Sequence, residues 1–301
     1  MGKLPVSGVF AAVLTPRSAK GEVDEHALRG YLLVLMEAGI RGFAINGVTG
    51  EFCVTSVPEF ERIMHLCREL LAGRGTFVAG IGAAGHHEAI RLGRIAFKAG
   101  AAAVLLPMPY FFPYSQDDLQ AYCRTVAASL DGPVLLYNLP QFSSGLLPQT
   151  SAQLIEECDN IIGIKDSSGS LDTVKLLTEH GIPSCRIIGN DGVLAAALKL
   201  GLCDGVVSGV ACVLPELMQA LYAAGAGKQE SFADLAAEVE RFIVQMDAFP
   251  VPWGLKVIAE ARGFIPAHFM QPLAESRLQQ KARLQQWFEE NGASLIQGKG
   301  E

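Results

Sequence analysis

A lysine closes an apolar run, and its position makes it the strongest candidate for a reacting group. The stretch NIIGIKDSSGS, residues 160–170, reads as a buried strand that ends at Lys165. Side chains alternate between the two faces of a strand, so Lys165 is predicted to share its face with Ile161 and Gly163. An ammonium without a partner there tends to lose its proton, and a neutral amine is a nucleophile. The alternative is that Lys165 reaches solvent or pairs with the adjacent Asp166.

The segment NGVTGEF, residues 46–52, follows another apolar run and has the composition of an anion-binding turn. Gly47 and Gly50 permit a tight turn, with Gly47 expected at positive φ. Such a turn leaves the amides of Val48 and Thr49 free to face a carboxylate. The alternative is a turn with a purely structural role.

The segment LLYNLPQFSSG places Tyr137 at the end of a further apolar run. A phenol beside an amine suits proton transfer, although Tyr137 could instead be a core tyrosine bonded to a backbone carbonyl. Together, Lys165, Tyr137 and the glycine-rich turn describe a site that binds a 2-keto acid and attacks its carbonyl.

Eight short apolar runs, each followed by a helical pattern, must position these groups. The runs end near Leu14, Asn46, Ile81, Leu106, Tyr137, Lys165, Gly189 and Ser208. Strands that are apolar on both faces and alternate with helices indicate a parallel sheet, and eight such units predict a closed (β/α)8 TIM barrel. A doubly wound sheet is the alternative, but the glycine-rich dinucleotide fingerprint is missing after the first run.

The end of the chain carries helical patterns alone, at Gln229–Met246, Trp253–Ala261 and Glu275–Asn291. We therefore predict a barrel catalytic domain over residues 1–224 and a C-terminal helical extension over residues 225–301. No low-complexity linker separates the two parts, so one continuous core is expected.

Composition and charge narrow the classes of partner. The chain has 301 residues and a formal net charge of −7, with no cluster of basic and aromatic residues. These features argue against nucleic-acid and anionic-membrane partners and favour a small molecule. The first residues form neither a secretory signal nor a membrane span, so a cytoplasmic location is expected. Seven cysteines lack a CxxC pair, and the adjacent His86 and His87 lack a third ligand, so no metal and no cofactor are predicted.

The chain resembles the dihydrodipicolinate synthase/N-acetylneuraminate lyase family of class I, Schiff-base-forming aldolases over nearly its whole length. The matching segments are TPRSAKGEVDEHAL, GVTGE, PMPYFFPYS, YNLP, GIKDSSG, IGNDG and WGLKVIAEARGF followed by QPL. The resemblance implies that Lys165 forms a Schiff base with pyruvate or another 2-keto acid. It also implies that Thr49 and the neighbouring amides hold the carboxylate, that Tyr137 relays protons, and that the protein is a homotetramer built from barrel dimers.

Three positions depart from the synthase pattern of that family. Val48 replaces a hydroxyl residue of the turn, and Phe111 replaces a tyrosine that a neighbouring subunit contributes to the proton relay. Phe142 replaces the arginine that receives the carboxylate of the aldehyde substrate, and a phenylalanine cannot form that charge-assisted fork. The three losses argue against a role in dihydrodipicolinate synthesis, but they leave Schiff-base formation untouched.

Polar residues after the fifth, seventh and eighth strands match positions where the lyases of the family contact sugar hydroxyls. They are Gln141, Ser143, Ser144, Asn190, Asp191 and Ser208, and Gly189 beside them is also predicted to bind the substrate. Neutral donors and acceptors suit polyols, although turn and helix-cap roles explain the same residue types. We therefore expect a lyase that cleaves or dehydrates a 2-keto-3-deoxy sugar acid. The alternatives are an aldolase for a more apolar aldehyde, dihydrodipicolinate synthase itself, and a non-catalytic barrel that binds a keto acid.

Overall fold

The computed structural model describes residues 6–297, in which eight parallel strands close into a barrel in sequential order. The strands are β1 (Gly8–Ala12), β2 (Gly42–Ile45), β3 (Thr76–Gly80), β4 (Ala103–Pro107), β5 (Val134–Asn138), β6 (Ile161–Asp166), β7 (Cys185–Ile188) and β8 (Gly205–Ser208). Strand β8 pairs with β1, which closes the ring. The predicted TIM barrel is confirmed, and each predicted strand end lies within two residues of the observed one.

A helix follows each strand, and three further helices follow the barrel. The first eight are α1 (Glu25–Glu37), α2 (Val57–Leu71), α3 (His86–Lys98), α4 (Gln116–Ala128), α5 (Pro148–Glu157), α6 (Asp172–Glu179), α7 (Asp191–Lys199) and α8 (Pro215–Gly227). The C-terminal helices are α9 (Phe232–Met246), α10 (Trp253–Ala261) and α11 (Glu275–Gln297). The division at residue 224 stays a prediction, since α8 runs on to Gly227. Within residues 6–297, no helix is long and apolar enough to cross a membrane.

Local sequence explains where several helices begin. Ser56 and Glu59 form a reciprocal capping box at the start of α2, and Ser115 and Asp118 form another at the start of α4. Asp24 caps α1 by accepting a hydrogen bond from the amide of Ala27. Side-chain oxygens thus satisfy backbone amides that have no partner in the first turn of a helix.

Two apolar layers account for strands that are apolar on both faces. The barrel interior is filled by a cluster that includes Phe10, Val78, Leu105, Leu135 and Tyr137. A larger cluster lies between the strands and the helices and continues into α9, α10 and α11. The C-terminal helices therefore pack on the outer layer of the barrel, in line with the expected continuous core.

Strand β6 does not alternate regularly, and this corrects the predicted face of Lys165. Val134 of β5 pairs with Ile161 and Leu135 pairs with Gly163, so Ile162 is an extra residue, a β-bulge. As a result Ile162 packs against the interior cluster, whereas Ile161 lies in the outer layer. Lys165 therefore does not share the face of Ile161.

The packing of β6 leaves no room for a side chain at Gly163. Its φ is +151°, and a Cβ there would lie 2.2 Å from the carbonyl oxygen of Cys185. Gly163→Ala should lower the free energy of unfolding, measured by urea denaturation, by about 1–3 kcal/mol. The matched control is Gly30→Ala in α1, where a Cβ meets nothing within 4 Å. That change should raise stability by about 0.5–1 kcal/mol. Equal effects of the two substitutions would contradict the packing described for β6.

Candidate active site

Lys165 and Tyr137 lie side by side where β6 and β5 end at the mouth of the barrel. The two residues are paired in the strand register, and Nζ of Lys165 lies 3.8 Å from the centre of the Tyr137 ring. Each is only 3% exposed. The amine thus rests against the face of the phenol ring, with little access to water.

Burial decides the protonation of Lys165. It lowers the pKa of the amine to about 7, and the charge of Asp191 opposes the shift. A large fraction of Lys165 is therefore a free amine at neutral pH. Asp166 is not the carboxylate that acts on this amine, since Asp191 is; Oδ1 of Asp166 accepts hydrogen bonds from the amide of Ser168 at 2.9 Å and from Asn138 at 3.4 Å.

Gly189, at the end of β7, makes room for this amine. A Cβ at Gly189 would lie 2.8 Å from Cε of Lys165 and 2.0 Å from Oγ of Ser167. Its φ lies outside the left-handed region, so the requirement is for space and not for backbone freedom. The structure thus gives this predicted site residue a steric role beside Lys165.

Tyr137 is held as a neutral phenol. Burial raises its pKa well above the ordinary value, and the side chain of Ser167 and the amide of Val48 oppose the shift only in part. Oγ of Ser167 is buried and lacks a hydrogen-bond partner in the described part of the chain. Tyr137 can therefore donate a proton, and the buried Ser167 hydroxyl lies beside the phenol.

The turn after β2 is tight, but for a different reason than the sequence suggests. Gly47 is not at positive φ, and a Cβ added to it would meet nothing within 4 Å, so that expectation is wrong. Asn46 and Glu51, which flank the turn, instead have φ of 56°. The amide of Glu51 donates to the carbonyl of Val48 at 2.9 Å, which closes a β-turn centred on Thr49 and Gly50.

Both sides of this turn are fixed by neighbours. The side-chain amide of Asn46 donates to the carbonyl of Gly80 at 3.0 Å, and a Cβ at Gly80 would lie 2.1 Å from the carbonyl oxygen of Asn46. A Cβ at Gly50 would lie 3.1 Å from Oγ1 of Thr15. Close backbone contact with β3, and not freedom at Gly47, therefore sets the position of Thr49.

A cavity of about 370 Å³ opens above these groups. Its floor includes Val48, Thr49, Tyr137 and Lys165. Its mouth is formed by the end of α9, the start of α10 and the segment between them, and includes Ile243, Met246, Asp247, Phe249, Val251 and Leu255. Among the described residues Lys165 is the one cation that lines the cavity, whereas Asp191 and Asp247 contribute two carboxylates.

Asp191 contributes a largely buried carboxylate to the wall of this cavity. Its Oδ2 accepts a hydrogen bond from the amide of Val210 at 3.0 Å, and its Oδ1 is buried without a partner within the described residues. Burial raises the pKa of this carboxyl, while the amides of Val210 and Gly209, the Ser208 hydroxyl and the nearby Lys165 oppose the shift.

Other predicted site residues are engaged in the fold. Asn190 lines the cavity, but its side chain caps α7 by accepting from the amide of Gly192 at 2.9 Å. Ser208 is fully buried and accepts from the amide of Ala211, and Ser143 donates to the carbonyl of Leu139 at 3.4 Å. Neither serine lines the cavity. Gln141 does line it, but donates to two backbone carbonyls beyond β6.

The two phenylalanines occupy different places. Phe142 lies at the cavity mouth and is 54% exposed. Phe111 lies outside the cavity and is 86% exposed, with its ring against that of Phe112. A single chain therefore does not bring Phe111 to the site, and its predicted role in a neighbouring subunit stays a prediction.

Sequence reasoning missed Ser167 and the residues of the cavity mouth. Ser167 stands two residues after Lys165, and this spacing could have signalled a second group at the same end of the barrel. Phe249 and Val251 lie between two helices, and no local pattern directs them to the barrel mouth. Within residues 6–297, no three His, Cys, Asp or Glu side chains group as a metal site would require.

Comparison with known proteins identifies the family of the chain. The sequence profile of the Dihydrodipicolinate synthetase family matches residues 5–291. The chain belongs to this family. It is 32% identical over 276 residues to the 4-hydroxy-tetrahydrodipicolinate synthase of Azoarcus sp. (strain BH72), covering 90% of this chain and 94% of that protein. A relative of the same name from Alcanivorax borkumensis is 32% identical over 286 residues, covering 92% and 97%.

Solved structures of this family have the same fold. The dihydrodipicolinate synthase of Aquifex aeolicus superposes with a TM-score of 0.89 at 25% identity, covering 95% of this chain and 98% of that one. A prophage protein of the family from E. coli K12, solved in complex with pyruvate, gives 0.87 at 26% identity, covering 94% and 98%. The chain is therefore an enzyme of the pyruvate-dependent, Schiff-base-forming lyase class.

The turn after β2 generates a prediction with a matched control. Gly80→Ala should displace Asn46 and raise the pyruvate concentration needed for half-maximal trapping by cyanoborohydride about tenfold, in protein that is still folded. Gly47→Ala should change it less than about twofold, because its Cβ has space. A larger effect of Gly47→Ala would show that the turn is not positioned through β3.

The protonation of Lys165 generates a prediction about pH. The rate of trapping at low pyruvate should rise as the amine deprotonates, with a midpoint near pH 7, where burial has placed the pKa. Asp191→Asn should move this midpoint to lower pH, because it removes a negative charge that favours the ammonium. A midpoint at about pH 10.4 in the native protein, the ordinary lysine value, would show that burial does not lower the pKa of Lys165.

Proposed function

We propose that the protein is a lyase that cleaves or dehydrates a 2-keto-3-deoxy sugar acid through a Schiff base on Lys165. The observation that carries the proposal is the charge of the cavity: among the described residues Lys165 is its one cation, and Asp191 and Asp247 are acceptors for hydroxyl groups. A substrate with hydroxyls beyond the keto acid suits this lining, whereas a second carboxylate would meet like charge.

The first half of the proposed reaction joins the keto acid to the lysine. The turn at Thr49 holds the carboxylate, and the free amine of Lys165 attacks the C2 carbonyl to give a carbinolamine. Tyr137, a neutral phenol beside the amine, donates a proton to the departing hydroxyl, and water leaves. The product is an iminium at C2, which withdraws electrons from C3.

The second half breaks a bond at C3. In cleavage, the C3–C4 bond electrons move to the iminium to form an enamine, and the C4 hydroxyl gives its proton to the phenolate that Tyr137 became in the first half, as the aldehyde departs. In dehydration, that phenolate takes the C3 proton to form the enamine, whose electrons then expel the C4 hydroxyl as water while Tyr137 returns the proton. After cleavage, C3 of the enamine is protonated, and in both reactions water hydrolyses the remaining iminium and frees Lys165. In both reactions the carboxylate of Asp191, which lines the cavity, is proposed to accept a hydrogen bond from a hydroxyl of the substrate.

Two alternatives draw on particular observations. The relatives named 4-hydroxy-tetrahydrodipicolinate synthase favour that reaction, but Phe142 supplies no charge for a second carboxylate. The apolar mouth formed by Met246, Phe249 and Val251 favours a less polar aldehyde. The non-catalytic alternative gives no reason for an amine with a pKa of about 7 beside a phenol.

We also propose assembly and location in line with the family resemblance. Phe111 and Phe112 are 86% and 62% exposed, and such an apolar patch supports contact with a second copy in the proposed homotetramer. All seven cysteines are free thiols, which suits a reducing compartment such as the cytoplasm.

Product analysis tests the proposed substrate class. A panel of 2-keto-3-deoxy sugar acids should give pyruvate and an aldehyde, or a dehydrated product, with the native protein and neither with Lys165→Ala. Incubation of pyruvate with apolar aldehydes provides the comparison for the second alternative. Faster turnover of apolar aldehydes than of every sugar acid would overturn the sugar-acid assignment and leave the Schiff base in place.

Condensation of pyruvate with aspartate semialdehyde should be slow. The missing partner of the substrate carboxylate costs about 2–5 kcal/mol, or roughly 30-fold to several-thousand-fold in rate. Phe142→Arg should therefore raise the condensation rate, with Phe142→Leu as the uncharged control. If the native protein prefers aspartate semialdehyde to every sugar acid, the synthase alternative is correct.

A further inference from the structure

A buried ion pair lies behind the turn that carries Thr49, outside the groups assigned above. Nζ of Lys256 is 2.5 Å from Oε2 of Glu51, and the two residues are 2% and 9% exposed. They are 205 positions apart in the chain. Lys256 comes from α10, in the C-terminal helical region, and Glu51 comes from the barrel.

Glu51 is part of the turn itself. Its amide closes the β-turn centred on Thr49 and Gly50, and its φ of 56° lies in the left-handed region that non-glycine residues seldom adopt. Such a conformation persists only where the surroundings hold it. The contact with Lys256 is one such constraint, because it fixes the direction of the Glu51 side chain.

Lys256 connects this turn to the mouth of the cavity. Its amide donates to the carbonyl of Pro252, and Phe249, Val251 and Pro252, which precede α10, line the cavity. Its ammonium also donates to the carbonyl of His268 at 2.8 Å, in the segment after α10. The side chain of Lys256 therefore joins the floor turn to the chain beyond α10, while its backbone belongs to the first turn of α10.

Stability alone does not explain a lysine at this place. A buried ion pair adds little to stability over apolar residues of the same size, because both charges must lose water. Its attested use is to fix one arrangement out of several. Here the arrangement that it fixes is the position of the Thr49 turn relative to the cavity mouth.

We propose that Lys256 is a positioning residue, which sets the keto-acid carboxylate site through Glu51 and makes the C-terminal helices part of the active site. The proposal rests on the proposed function, since its readout is the keto acid bound at Lys165. Lys256 touches no substrate, so its loss should weaken binding of the keto acid while the chemistry at Lys165 continues.

The test compares apolar and conservative replacements of the pair by trapping with pyruvate and cyanoborohydride. The double variant Glu51→Leu/Lys256→Met leaves no buried charge unpaired, and it should raise the half-saturating pyruvate concentration about tenfold with the maximal rate within about threefold. Glu51→Gln, which keeps size and an acceptor oxygen, should stay within about threefold of the native value.

Arg262→Met is the matched control. Arg262 follows α10 directly and forms a bidentate pair with Glu216 of α8 at 2.9 Å, away from the cavity. Its loss should lower the thermal midpoint and leave half-saturation within about twofold.

Three outcomes would overturn the inference. If the folded double variant has the half-saturating pyruvate concentration of the native protein, the pair does not position the carboxylate site. If Arg262→Met raises the half-saturating pyruvate concentration as much as the double variant does, the effect comes from a general destabilisation of α10 and not from the pair. If that double variant does not fold, Glu51→Gln/Lys256→Met takes its place, and native half-saturation in this folded protein would overturn the inference in the same way. A native protein that is never labelled would instead contradict the proposed function, and the inference with it.

Discussion

The cost of keeping an ammonium out of water is the constraint on which the site depends. Lys165 is 3% exposed and rests on the ring of Tyr137, with Asp191 as the one charge identified as opposing its deprotonation. Because the interior stabilises the uncharged form, the pKa falls to about 7 and a nucleophile exists at neutral pH. A carboxylate in direct contact would restore the ammonium and remove that reactivity.

The surrounding structure serves this arrangement in several ways. Gly189 leaves space for the lysine side chain, and the bulge at Ile162 lies just before Lys165 in the same strand. The tight turn at Thr49 lines the same cavity as the amine of Lys165, so a carboxylate bound at the turn would lie beside the carbonyl that the amine attacks. The C-terminal helices complete the cavity and reach its floor through Lys256.

The sequence was sufficient for the barrel because its signals are local. Each strand is a short apolar run closed by a turn residue, and the eight repeats leave few other arrangements. The positions of Lys165 and Tyr137 followed from strand ends, since the carboxyl ends of barrel strands share one face. The same reasoning failed at Ile162, because a bulge depends on pairing with β5 and not on the run itself.

Contacts between distant parts of the chain were beyond local reasoning. The glycines of the turn suggested positive φ at Gly47. The turn is instead shaped by the close contact between the backbone of Asn46 and Gly80 of β3. Ser208 and Asn190 are residue types that suit a polyol site, yet the side chains of both accept hydrogen bonds from nearby backbone amides. Nothing around Glu51 in the sequence indicates Lys256 as its partner. The type of each polar side chain could be read from the sequence. Whether that side chain can contact a substrate depends on the hydrogen bonds that it makes in the folded chain.

Peptide mapping after trapping with pyruvate and cyanoborohydride tests the central claim most directly. The account predicts one reduced adduct, on the peptide that contains Lys165, and its complete loss in Lys165→Ala. Lys256 is the other buried lysine among the described residues and serves as the internal control. An adduct on Lys256, or labelling that survives Lys165→Ala, would contradict the assignment of Lys165 as the nucleophile.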